Sequence, residues 1–185
     1  MAKRKPVSER PLVADDATAT PWWEALERLE NPEKYRTYWL ATVRPDRRPH
    51  VMPLVGLWLD GRFYFLTGEN TRRGKNLMRD GQCVLSVGSQ TIPALDLVVE
   101  GEATKVINEA KLRQVADAYA SKMGWPLEVR DGAVFGPSAP TAGPPPYAVF
   151  ELTPTTVFGL PGVTGTDEEG GFERSLTPTR WRFTR

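Results

Sequence analysis

The residues best suited to chemistry in this chain run Asn70-Thr71-Arg72-Arg73-Gly74-Lys75-Asn76-Leu77. Asn70 or Thr71 can cap a short helix whose first backbone N–H groups stay unpaired and point toward a bound anion. Thr71 adds a hydroxyl, and Arg72, Arg73 and Lys75 add cations within one and a half turns. A helix terminus stabilises a nearby charge by only about 0.3–1 kcal/mol. Forked guanidinium bonds to phosphate oxygens are stronger, so the side chains would decide binding. The segment reads as a phosphate cradle with Arg73 and Lys75 on the solvent side. Gly74 would loosen such a helix. A solvated basic turn has the same composition and is the competing reading.

Conventional catalytic sets are missing. His50 is the single histidine, so a zinc site made of histidines is excluded and no metal is expected. GxSxG, HExxH and GxGxxG do not occur, which leaves triad hydrolysis and a Rossmann nucleotide site without their residues. An enzyme built from this chain would take its reactive atoms from a bound cofactor. His50 stays open between acid–base work and a strand histidine with no catalytic part.

The totals narrow the classes further. The chain has 185 residues, 40% of them hydrophobic, enough for one domain with a sizeable core. Lys and Arg number 24 against 23 Asp and Glu, a balance that argues against nucleic acid as the partner. One cysteine, Cys83, excludes an internal disulfide, fits a reducing compartment, and reads as a buried hydrophobe within QCVLSV. No apolar run reaches the length of a spanning helix, and Lys3, Arg4 and Lys5 are followed by no apolar stretch. The expectation is a cytoplasmic protein without a membrane partner.

The elements that must position the cradle are mostly strands. Residues 1–19 read as a flexible arm. Thr20 as N-cap and Pro21 open a helix, with Trp22, Leu26 and Leu29 on one face and Asn31-Pro32 at its end. Trp22 and Trp23 suit either barrel cover or the lining of a ligand site. Strands are expected over Thr37–Arg44, Arg48–Leu59 and Arg62–Thr67, the last two joined by the hairpin signal Asp60-Gly61. The second strand is apolar on both faces, which suits a wall against a partner subunit or cofactor, and Pro49 and Pro53 make one side edge-like. Further strands read over Gln82–Ser89 and Ala94–Val106, linked through Thr91-Ile92-Pro93. A helix follows from its cap at Asn108 to Gly124, with Leu112, Val115, Ala116, Tyr119 and Met123 as its stripe. Residues 125–146 read as irregular, with a stiff Pro-rich loop at 137–146 over the surface. Tyr147–Phe158 returns to strand with a bend at Pro154, 161–177 reads as a mobile loop, and Thr179–Arg185 as a last strand. The fold class is mainly β (α+β): a split β-barrel of six to seven antiparallel strands with two or three packing helices, in one domain over 20–185.

The order WLATVRPDRRPHVMPLVGLWLDGRFYFLTG, then TRRGKNL, CVLSV and LDLVVEGEATKV resembles the pyridoxamine 5′-phosphate oxidase-like family, the FMN-binding split β-barrels. It is most similar to members that use FMN or the deazaflavin coenzyme F420. The resemblance implies a flavin- or F420-dependent oxidoreductase that moves a hydride to or from a conjugated small-molecule acceptor. A non-catalytic FMN- or F420-binding carrier on the same fold is the other function it allows. It further implies a homodimer with the cofactor at the subunit interface. By position, His50, Val51, Met52 and Pro53 would lie along the ring, with Thr67 beside it. Thr71, Arg72, Arg73, Lys75 and Asn76 would hold the phosphate, and Trp181 would close the site. Arg73 stands where the family has Lys and Lys75 where it has Arg, an exchange that keeps charge and alters geometry.

Overall fold

Alternation of apolar residues produces strands here, and a computed structural model shows how they close. It describes residues 4–14, 16–31, 37–89, 93–166 and 172–184. The Pro32 stop, the Thr91-Ile92 link and part of the 161–177 loop fall outside them. In chain order the elements are β1 (Ser8–Pro11), α1 (Trp22–Glu30), β2 (Tyr38–Val43), β3 (Pro49–Leu54), β4 (Gly56–Leu59) and β5 (Arg62–Thr67). Then come α2 (Arg72–Arg79), β6 (Gln82–Val87), β7 (Leu95–Lys105), α3 (Glu109–Met123), β8 (Glu128–Arg130) and β9 (Ala133–Phe135). Last are β10 (Ala148–Pro161), β11 (Gly165–Thr166), β12 (Phe172–Glu173) and β13 (Thr179–Arg182).

Seven strands follow the order β4-β5-β10-β7-β6-β2-β3, all antiparallel. The two end strands, β3 and β4, are neighbours in sequence and are not paired with each other. The predicted strand Arg48–Leu59 is therefore two strands, broken at Val55. β10 is long enough to serve both halves: Ala148–Leu152 pairs with β5, and Thr156–Gly159 pairs with β13. The predicted bend at Pro154 is a register shift between Pro154 and Thr156 against β7.

Two clusters form the core. Leu40, Phe63, Phe65, Leu85, Val99, Phe150, Val157 and Trp181 fill the barrel, and Phe65 stacks on Phe150 at 5.7 Å. Tyr64, Leu66, Val149, Leu112, Val115 and Tyr119 form the second cluster between the outside of the barrel and α3. The strand covered on both faces is thus β5, buried from Phe63 to Thr67, whereas Val51 and Met52 of β3 are exposed. Cys83 is buried, and burial pushes its thiol up to about 12, as suits a packed hydrophobe.

Several local expectations change. α1 starts one residue late, with Pro21 as its N-cap. Thr20 instead clasps the other end of the chain: its hydroxyl donates to the Thr177 carbonyl at 2.8 Å and accepts from Thr177 N–H at 2.9 Å. Ser8–Pro11 pairs along β13, so this part of the expected arm is a docked strand; its polar side chains gave no apolar signal, and backbone bonds to an open edge hold it. The stretch 125–146 holds the hairpin β8–β9, turned by Asp131-Gly132 at positive φ. Within 161–177, β11 pairs with β12. α3 keeps both predicted ends: Asn108 Oδ1 accepts from Lys111 N–H at 2.9 Å, and Gly124 is left-handed at φ 64°.

Candidate functional site

α2 begins where the cradle was expected, and its cap is made by Thr71. The Thr71 hydroxyl donates to the Gly68 carbonyl at 2.7 Å and accepts from Gly74 N–H at 3.0 Å. Thr67 Oγ1 lies 3.0 Å from Thr71 Oγ1, and with the Thr71 proton on Gly68, Thr67 is the donor. Thr67 is wholly buried, so it holds the cap in place. Gly74 is required by close packing: a Cβ there would sit 2.4 Å from the Gly68 carbonyl oxygen and 2.9 Å from Glu69 Cα. Its role is to let the helix start lie against the Gly68-Glu69 backbone, not to loosen the helix.

The cations separate into two kinds. Arg72 and Lys75 are exposed. Arg73 is 2% exposed and turns inward, donating through Nη1 to the Pro53 carbonyl at 3.3 Å and through Nη2 to the Thr141 carbonyl at 3.1 Å. Its expected solvent-side position is therefore corrected. An arginine has five donors in a fixed fork, and here it ties β3, α2 and the Pro-rich loop together. Burial lowers its pKa to about 10. The loop does not simply lie over the surface: its Ala142 carbonyl accepts from Gly68 N–H at 2.8 Å, directly before the cap. Asn76 is also buried and donates to Thr42 Oγ1 at 3.0 Å, which ties α2 to β2.

His50 faces this helix. It lies opposite Thr42 in the β2–β3 register, and Thr42 Oγ1 donates to the His50 carbonyl at 3.4 Å. Its Nδ1 is buried without a partner, as is Nε of Arg44. Burial first, then Arg44, Arg73 and Arg72, holds the imidazole below its usual pKa. Asp46, a carboxylate on which Arg44 acts, is paired with Arg48 at 2.6 Å. Arg44 beside the β2–β3 turn and Arg72 and Arg73 at the α2 start thus act on an imidazole whose Nδ1 has no partner, an arrangement suited to an anion. From the sequence, Arg44, Arg47 and Arg48 suit either an additional cationic path for an anionic cofactor tail or solvated turn charges; of the three, Arg44 is the one that acts on His50. Strand alternation singles it out, since Thr42 and Arg44 share one face of β2 and His50 stands opposite Thr42.

Met52 lies on the His50 face, while Val51 and Pro53 share the opposite face with Ala41 and Trp39. Trp181 is not brought to this site. It is wholly buried, donates Nε1 to the Thr20 carbonyl at 3.1 Å, and packs edge-on against Trp22. Trp22 is likewise core, and Trp23 alone of the pair is exposed. Among the described residues no three or more His, Cys, Asp or Glu converge as a metal would need, and no helix is long and apolar enough to cross a membrane.

A family model described as Pyridoxamine 5'-phosphate oxidase matches residues 25–160. No curated protein matches the sequence. Among solved structures, a conserved hypothetical protein from Mycobacterium tuberculosis aligns at TM-score 0.58 and 18% identity over 85% of this chain and 99% of that one. An FAD-binding protein from Mesorhizobium loti aligns at TM-score 0.54 and 16% identity over 94% and 97%. The heme storage protein from Vibrio cholerae aligns at TM-score 0.54 and 20% identity over 75% and 94%. At these identities the likeness is one of fold.

Proposed function

The chain belongs to the pyridoxamine 5'-phosphate oxidase family, and on that premise we propose that it is an FMN- or F420-dependent oxidoreductase acting on a conjugated small molecule. The observation that carries this reading is the buried, partnerless Nδ1 of His50, on the β3 face opposite Thr42, which Asn76 of α2 reaches, with Arg44 and Arg72 acting on the imidazole. A phosphate there would meet the exposed cations of Arg72 and Lys75 and the first N–H groups of α2. Thr67 and Thr71 set the helix start, and Arg73 holds it to β3 and the Pro-rich loop. His50, Met52 and the backbone of Val51 and Pro53 would lie along the ring. When bound, a flavin or deazaflavin supplies the hydride chemistry. The chain supplies orientation and a dry wall, and His50 is the one side chain on β3 that can hold a proton there.

A homodimer with the cofactor between subunits is part of the same reading. Trp39 is 48% exposed and Val51 51% exposed, on one outward face of β2 and β3. A second copy would cover that apolar surface.

Separate titrations of the purified protein with FMN, F420 and haem test the proposal. Micromolar binding of FMN or F420 is expected, and binding of neither overturns it. Haem bound alone would favour a role like that named for the Vibrio cholerae neighbour. Loaded protein that reduces no quinone, enone or tetrapyrrole in a panel would favour a non-catalytic carrier.

A further inference from the structure

We infer that the outer face of the β1–β13 ribbon carries an oxyanion site, formed by Arg10, Arg180 and Arg182, whose occupation holds the N-terminal strand in place. No residue of the cofactor reading takes part in it.

β1 adds to the edge of β13, and the register of that ladder decides which side chains meet. Ser8 stands opposite Arg182 and Arg10 opposite Arg180, all on one face. That face points away from the barrel, because Trp181, between the two β13 arginines, is wholly buried in the core. Opposed side chains in a ladder are about 4.5–5.5 Å apart at Cβ, and like charges placed so repel. Arg10 and Arg180 are such a pair, with Arg182 diagonal to Arg10. On the other side of β13, Arg180 meets Phe158 and Arg182 meets Thr156 of β10. Neither flanking strand sets a carboxylate against them. Glu9 lies on the opposite face beside Trp181, and Glu100 is one strand beyond Thr156. Among the described residues no ion pair includes any of the three arginines. Arg10 and Arg182 are exposed, whereas Arg180 is half-buried and its Nε is enclosed without a partner.

A ladder that opposes two guanidiniums and pairs neither with a carboxylate is unfavourable as it stands. A multiply charged oxyanion removes the repulsion, since guanidinium forks take its oxygens two at a time. The Ser8 hydroxyl adds a donor on the same face. Phosphate esters and diphosphates are the class with charge and oxygens enough for three arginines. Arg10 arrives on β1 while Arg180 and Arg182 belong to β13, so the site is complete only with the strand docked. Anion binding and docking are therefore linked, and an anion that prefers the complete site draws β1 onto β13. Two bonds report docking: Leu12 N–H donates to the Pro178 carbonyl and Val7 N–H to the Arg182 carbonyl, both at 2.8 Å. β10, β7 and β6 stand between β13 and the strand that carries Trp39, so the site is separate from that apolar face.

Amide exchange at Val7 and Leu12, followed by NMR in the full-length protein with inorganic diphosphate as the probe, tests the site. Arg72→Ala with Lys75→Ala is built into the protein so that the α2 cations do not contribute. Diphosphate at about ten times its dissociation constant should slow both amides about tenfold. Sodium chloride at the same ionic strength should not, because screening alone supplies no forked bonds. Arg10→Glu turns the opposed pair into an attractive one, so it should slow the same amides without diphosphate and abolish the response. Exchange unmoved by diphosphate, slowed equally by chloride, or unchanged in Arg10→Glu overturns the site. A response seen in the wild-type chain and lost with Arg72→Ala and Lys75→Ala would assign the anion to α2 and likewise overturn it.

Discussion

Arg73 donates to the carbonyl of Pro53 at 3.3 Å and so ties the start of α2 to the edge strand β3. Its second bond, to Thr141, fastens the Pro-rich loop to the same point. Arg73→Ala should leave two carbonyls unpaired and cost about 1–3 kcal/mol of stability in a denaturant titration. Arg73→Lys should recover only part of this, since one ammonium cannot span both acceptors at fork geometry. Full stability of Arg73→Ala would contradict the tie.

Arg72 and Lys75 should behave in the opposite way. Both are exposed, so Arg72→Ala with Lys75→Ala should change stability by less than about 1 kcal/mol. Each charge-assisted bond lost to a phosphate is worth about 1.5–3 kcal/mol. Affinity for the phosphorylated cofactor should therefore fall at least about tenfold, read by fluorescence titration, while affinity for a phosphate-free ring stays. An equal loss for both probes would place the phosphate elsewhere.

His50 gives a clean pH probe because it is the single histidine in the chain. Its folded pKa lies below the ordinary value, chiefly through burial and then through Arg44, Arg73 and Arg72. The unfolded chain therefore takes up a proton first as pH falls. The stability that His50 contributes is complete above its unfolded pKa and is lost as pH drops through the lower folded value. An anion beside Arg44 and Arg72 offsets their charge and should move the imidazole pKa upward. The ring proton signal, followed by NMR from pH 8 to 4 with and without FMN, should show that rise. A pKa unchanged by FMN would separate His50 from the anion site.

Most strands of the main sheet, both ends of α3 and the start of α2 were legible because each rests on local pattern: alternation, Asn108 and Gly124 as caps, and Thr71 before a polar run. The direction of Arg73 was not legible. Its neighbours Arg72 and Lys75 have the same composition, and only the packing of α2 against β3 and the loop decides which cation turns inward. Trp181 was misplaced for a similar reason: an alternating strand does not say which end of the barrel its tryptophan fills, and Thr20 and Trp22 take it. β1 escaped because an edge strand held by backbone bonds needs no apolar side chains.

Gly74 separates helix propensity from packing. Alanine is about 1 kcal/mol better than glycine within an exposed helix. At this position the new Cβ would meet the Gly68 carbonyl at 2.4 Å and the Glu69 carbonyl at 2.9 Å, both backbone atoms that cannot rotate aside. Overpacking of this kind costs about 1–3 kcal/mol. Gly74→Ala should therefore lower the melting temperature and weaken cofactor retention by lifting the start of α2. A higher melting temperature would show that Gly68 and Glu69 give way easily.

Trp39 tests the assembly. It stands beside Pro53 on the outward face of β2 and β3, 48% exposed, with Val51 two residues along the strand from Pro53. A tryptophan at the centre of an interface contributes about 2 kcal/mol or more, which is at least about a thirtyfold change in dimer dissociation. Trp39→Glu should keep its own fold, since the residue is already half in solvent, while sedimentation moves the species from dimer to monomer. If the cofactor sits between subunits, retention of FMN or F420 should fall with dimer content as the protein is diluted. A wild-type protein that sediments as a monomer with cofactor bound would assign this apolar face to something other than a second copy.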